Sequence, residues 1–208
     1  MNTPSSIRRR RFGAFITHGW ARWVALTALF ALLALGSLGV AAWYQARVAN
    51  SPDAISIGKV CYGALLAQQT VTTPPPGYHG GPIVGATQQQ MLDRAAQVFA
   101  QYYTGQQLAY EVGASQGAIR GEQGATGDRI LGGGVQRFAV TQIAIHGATA
   151  TVTVQAIIWL DVAQDDGHDP LVVASPHNAI SANFALVRSH GRWLISAQTV
   201  RFASGSGP

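Results

Sequence analysis

The chain has one cysteine, Cys61, in 208 residues, so no intramolecular disulfide can form. Cys61 lies well past the apolar N-terminal run, behind Lys59 and Val60, too far on to be a lipoprotein attachment site, and is read as a small packing residue. Other absences close off chemistry. There is no glycine loop followed by lysine for a phosphate, no dinucleotide fingerprint, no paired histidines around a glutamate, and no nucleophile elbow. Acidic residues are missing from the whole N-terminal quarter, and the formal charge of +5 resides there. From Arg47 onward nine basic residues meet nine acidic ones, so that part lacks the basic face that binding to phosphate backbones requires. Direct nucleic-acid binding by it is excluded on that ground.

The residues present divide the chain. Trp23–Tyr44 is a run of 22 residues without a charged side chain. As a helix it would span roughly 33 Å, enough to cross the hydrocarbon core of a bilayer. Arg8, Arg9, Arg10, Arg11 and Arg22 precede it, while only Arg47 and Lys59 follow closely, which orients the N-terminus to the cytoplasm and the remaining chain outside. Trp20, Trp23, Trp43 and Tyr44 sit where aromatic rings prefer the headgroups. A cleaved signal peptide is the alternative, given Val40-Ala41-Ala42, but the run exceeds the usual apolar core of such peptides and a retained anchor is favoured. The expected partner is the lipid bilayer; small residues such as Ser37-x-x-x-Ala41 would let a second helix approach, as in a homo-oligomer, but such residues are common in membrane helices and that plainer reading is favoured.

The expected organisation is a basic cytoplasmic tail at 1–22, a transmembrane helix at 23–44, a stalk helix and Pro/Gly-rich linker at 45–86, an α+β domain at 87–203 and a disordered tail at 204–208. Ser51-Pro52-Asp53 is a helix start, followed by Ile57, Val60, Cys61, Ala64 and Leu65 at helical spacing as far as about Gln69. That helix is read as a spacer lying on the domain, in preference to a partner surface. Thr87-Gln88-Gln89-Gln90 matches a capping box, Met91 to Tyr103 carries an apolar stripe, and Gly105 is placed as its stop. Gly113–Gly134 holds eight glycines and is read as a long exposed loop with a short helical turn around Ala118. Beyond it the period is two: a strand over Val135–His146 with a bulge near Thr141, and a second over Thr149–Val162 whose Ile157 and Trp159 make both faces apolar. A polar loop at Ala163–Asn178 and a hairpin turning at His190-Gly191 complete it. The fold class is α+β: an N-terminal transmembrane helix, then a helix packed on a curved, cone-like antiparallel sheet.

The phrases TQIAIHGATATVTVQA and FALVRSHGRWLISAQTV, with Phe184, Leu186, Val187, Arg188, Gly191, Trp193 and Ile195 in the second, resemble the nuclear transport factor 2-like, or cystatin-like, superfamily over about Thr87–Phe202. A basic tail, one membrane helix, a stalk and one such domain resemble bitopic conjugation and type IV secretion subunits, TcpC-like proteins among them, and also the membrane proteins associated with Mce lipid importers. Both resemblances imply a non-enzymatic scaffold of an envelope complex, with protein partners, no cofactor and no metal. A membrane-tethered small-molecule binder or enzyme is the remaining class. Enzymes of the superfamily place a carboxylate or histidine at the mouth of the cone, which makes Tyr102, Tyr103, Asp128, Asp161 and His177 the candidates for a pocket. Trp159, Phe184 and Trp193 are further candidates for pocket or partner contact, with Trp193 read as core against Phe99. His168, Asp169 and His177 supply ligand types without a metal-binding spacing and are read as solvated turn residues.

Overall fold

A computed structural model describes residues 50–122, 127–165 and 171–206. The chain divides into a unit Met1–Ala46 and a unit Arg47–Pro208, and the described residues belong to the second. The expected span Trp23–Tyr44, the arginines before it, and His168 and Asp169 lie outside the described residues. Among the described residues no helix is long and apolar enough to cross a membrane.

Three helices pack on a five-stranded antiparallel sheet, so the class is α+β. The helices are α1 (Pro52–Thr70), α2 (Gly85–Phe99) and α3 (Gly105–Glu122), and the strands are β1 (Gly127–His146), β2 (Thr149–Asp165), β3 (Leu171–Ala174), β4 (His177–Ser189) and β5 (Arg192–Phe202). Their order is β1-β2-β4-β5, with β3 paired to the far end of β2.

The start of α1 follows its sequence signals. The Ala54 amide donates to the Ser51 side chain at 3.2 Å, Pro52 opens the first turn, and Asp53 complements the helix dipole. Ile57, Cys61, Ala64 and Leu65 are buried and join the core formed by residues of 87–203, so this helix is continuous with the domain's interior. The Pro/Gly-rich segment after it is also docked, because Thr72 and Ile83 are buried.

Helix α2 begins two residues before the expected capping box. Val84 occupies the cap without a side-chain hydrogen bond, which leaves Thr87 inside the first turn. Met91, Leu92, Ala95 and Phe99 are buried as the stripe predicts, but the helix ends at Phe99. Tyr103 then forms a bridge to Ile195, and Gly105, at φ 58°, opens α3 instead of closing α2.

The glycine-rich stretch is where the sequence reading fails. Residues expected as a loop form most of α3 and the first part of β1. Leu108, Val112 and Ile119 supply a packing stripe, and Gly113, Gly117 and Gly121 fall on the opposite, solvent-facing side. In β1 the glycines answer to close approach: a Cβ on Gly133 would lie 2.3 Å from the Gln69 carbonyl oxygen, and one on Gly134 would lie 2.8 Å from the Trp159 indole nitrogen.

The meander follows the period-two reading. β1 carries a register shift between Val140 and Gln142, where the bulge is expected. His190 and Gly191 turn β4 into β5 with φ of 48° and 79°, the left-handed pair a two-residue hairpin needs. The segment Ala163–Asn178 is less loop-like than expected, since β2 runs on to Asp165 and β3 lies within it. Ser204–Ser206 turns back on the sheet, with the Ala179 amide donating to the Ser206 hydroxyl at 3.3 Å.

Candidate functional site

A cleft of about 600 Å³ opens between α3, the C-terminal end of α1, and strands β2 and β5. Its position follows from a bulge. Ala185 pairs with Ala197 and Leu186 with Ile195, so Ser196 is an extra residue in β5. Trp193 and Ile195 are buried before it; after it Gln198, Val200 and Phe202 line the cleft, whereas unbroken alternation would have turned Arg201 toward it.

The cleft has a polar floor and apolar walls. Glu111 of α3 is 7% exposed, and its two carboxylate oxygens accept from different amides. Gln68 Nε2 donates to one at 2.9 Å and Gln107 Nε2, one turn earlier on α3, to the other at 2.7 Å. Gln198 ties the floor to the sheet: its Nε2 donates to Gln68 Oε1 at 3.3 Å, its backbone amide donates to Gln107 Oε1 at 3.3 Å, and its Oε1 accepts the Tyr103 hydroxyl at 2.6 Å. Burial, reinforced by the negative charge of Glu111, pushes the Tyr103 hydroxyl well above the ordinary phenol range, so it serves as a donor. Ile158 and Leu160 of β2 and Val200 of β5 form the apolar side, with Tyr110 and Phe202 exposed at the rim. One carboxylate is thus braced by two amides, with Gln198 holding both of those amides in place.

Of the candidates read from the sequence, Tyr103 alone takes part in this floor. Tyr102 is half-buried beside Gly63, where an added Cβ would lie 2.4 Å from its ring. Phe184 is core. Trp193 is core as well, but its indole N–H donates to Asp53 Oδ1 at 3.1 Å and the Arg188 guanidinium lies 5.7 Å from its ring, which ties the hairpin to the start of α1. Trp159 lines a separate hollow of about 740 Å³ at the β1 edge with Pro74–Tyr78 and Arg94, and it stacks on His177 with ring centres 6.3 Å apart. Asp161 accepts from the Ser175 hydroxyl at 2.5 Å, and Asp128 is exposed beside the buried Arg129. Among the described residues no group of three His, Cys, Asp or Glu could hold a metal ion.

Sequence reasoning missed a second buried polar cluster. Arg129 of β1 and Asp165 of β2 form an ion pair with both side chains fully buried. Arg129 Nη2 also donates to the Gly81 carbonyl at 2.7 Å, the Gly81 amide donates to Asp165 at 2.9 Å, and the Tyr78 hydroxyl bonds the same carboxylate. The Tyr78 ring lies 5.3 Å from the guanidinium carbon. Burial, then the hydrogen bond to Asp165, pushes the Tyr78 hydroxyl up to about 12. The cluster pins the Pro/Gly-rich segment to the sheet.

No family model matches the chain, and no curated protein matches it. Solved structures similar to it include the intermembrane space region of the chloroplast protein ARC6, 13% identical with a TM-score of 0.42, covering 53% of this chain and 81% of that one. A SEC-C motif containing protein from Rhodopseudomonas palustris is 12% identical with a TM-score of 0.29, covering 67% of this chain and 88% of that one. Neither likeness is strong enough to bear on the fold or the function.

Proposed function

We propose that the chain is a single-pass membrane protein, anchored by Trp23–Tyr44 with its N-terminus in the cytoplasm. Its outer unit, a cone domain of the nuclear transport factor 2-like kind, binds other proteins of a cell-envelope complex. Conjugative transfer or type IV secretion is the leading context and Mce-type lipid import the second. The apolar run, the arginines before it and the charge balance after it support the anchor.

The observation that carries the binding role is β3. Leu171, Val172 and Val173 are 74%, 46% and 56% exposed, and among the described residues the strand pairs only with β2. Exposed edges of natural sheets are usually blunted by charge, proline or a bulge; Leu171–Ala174 carries neither charge nor proline, and its one irregularity is a register shift at Val173. An apolar strand whose outer edge pairs with no other strand among the described residues is suited to accept an extended strand of a partner protein.

The test is to crosslink the full-length protein lightly in its native membrane, purify it in mild detergent and identify its partners by mass spectrometry, beside a Val172→Lys variant. Channel subunits or secretion ATPases captured by the parent and lost in the variant are the expected result. A parent that comes alone, or a variant that keeps the same partners, overturns the reading. The cleft at Glu111 favours a second reading, a membrane-tethered binder of small molecules.

A further inference from the structure

We propose that the cleft between α3 and the sheet is a binding site for a small organic cation, an amine on an apolar body, whose charge is met by Glu111. A carboxylate has about four acceptor positions, and the amides of Gln68 and Gln107 use two of them. Glu111 forms no ion pair among the described residues, and no lysine or arginine lines the cleft. A buried charge supplied only with neutral donors is costly, and the deficit is of the kind an ammonium group removes. The other surfaces select what carries that ammonium. Ile158, Leu160 and Val200 offer an apolar wall, while the rings of Tyr110 and Phe202 at the rim suit a cation passing over them. The volume falls in the range of sites for small organic ligands, roughly 300–1,000 Å³.

The same geometry excludes other ligand classes. An anion would meet Glu111 without a basic group to offset it. A hard divalent cation needs about six oxygen ligands, and zinc about four nitrogen, sulfur or carboxylate ligands, whereas one carboxylate is present. The proposal stands apart from partner binding at β3, since either can fail without the other.

The test uses the full-length chain in nanodiscs of zwitterionic lipid and three soluble probes of one shape: 2-phenylethylamine, the neutral 2-phenylethanol and the anionic 3-phenylpropionate. Calorimetric titration is expected to give the amine about 10- to 100-fold tighter binding than the alcohol, as a charge-assisted hydrogen bond allows, with no binding of the acid. Glu111→Gln is expected to erase that preference while leaving the melting temperature of the unliganded protein equal or higher. Should that variant fold poorly, Ala114→Lys places an ammonium one turn from Glu111 in the same cleft and is expected to block the amine. Equal affinity for amine and alcohol, an amine preference that survives in Glu111→Gln or Ala114→Lys, or no saturable amine binding up to about 10 mM each overturns the proposal.

Discussion

The buried pair Arg129–Asp165 gives the sharpest stability prediction. Both side chains are fully buried, so solvent screening does not discount the interaction. Replacing Arg129 with Met removes the guanidinium that pairs with the Asp165 carboxylate. Replacing Asp165 with Leu removes the carboxylate from the guanidinium and from the Gly81 amide and Tyr78 hydroxyl that donate to it. Each single change is expected to cost about 3–5 kcal/mol, the usual result of removing one member of a buried pair. At about 2–4 °C per kcal/mol for a unit of this size, the melting temperature falls by roughly 6–20 °C. The double variant Arg129→Met/Asp165→Leu removes both charges together and should recover most of that loss, because well-packed apolar replacements of buried pairs are often neutral. Thermal unfolding of the full chain by circular dichroism reads all three. Single variants that lose less than about 1 kcal/mol would refute the reasoning, as would a double variant no more stable than the worse single one.

The solvent-facing glycines of α3 make the opposite prediction: Gly113→Ala, Gly117→Ala and Gly121→Ala each meet open space and should stabilise by about 0.5–1 kcal/mol in denaturant titrations. Gly133→Ala should destabilise instead, by about 1–3 kcal/mol in the same assay, because the Gln69 carbonyl must move. Cys61, whose thiol burial pushes up to about 12, should resist a thiol reagent at pH 8 in the native protein and react on unfolding. The Tyr78 hydroxyl holds its proton more tightly when folded, so its contribution is full below pH 10 and is lost as pH rises to about 12. Tyr78→Phe should flatten that part of the stability curve, measured against the parent.

What the sequence made legible was whatever a local pattern determines. Ser51-Pro52 starts a helix because capping is settled within one turn, and His190-Gly191 turns a hairpin because only a few residues adopt two successive positive φ angles. The buried positions of α1 and α2 follow from helical spacing alone. The misreading of Gly113–Gly134 has the same root. Glycine is locally a helix and strand breaker, and nothing nearby in the sequence says that three of these glycines face open water on a helix whose other side is held by Leu108, Val112 and Ile119. Nor does it say that Gly133 and Gly134 lie under a carbonyl from α1 and an indole from β2. Those reasons are tertiary.

The cleft was illegible for a related reason, and that reason bears on its use. Glu111 sits two residues before the glycine-rich stretch, and Gln198 reaches the two amides that brace it because Ser196 bulges and resets the alternation of β5. A strand that kept Ser196 in its ladder would turn Ala197, Thr199 and Arg201 toward α3. The bulge instead brings Gln198, Val200 and Phe202, which leaves the carboxylate braced by amides beside an apolar wall. Absorbing Ser196 as a bulge, instead of pairing it in the ladder, thus keeps Arg201 off this face and leaves the cleft for a cation to complete.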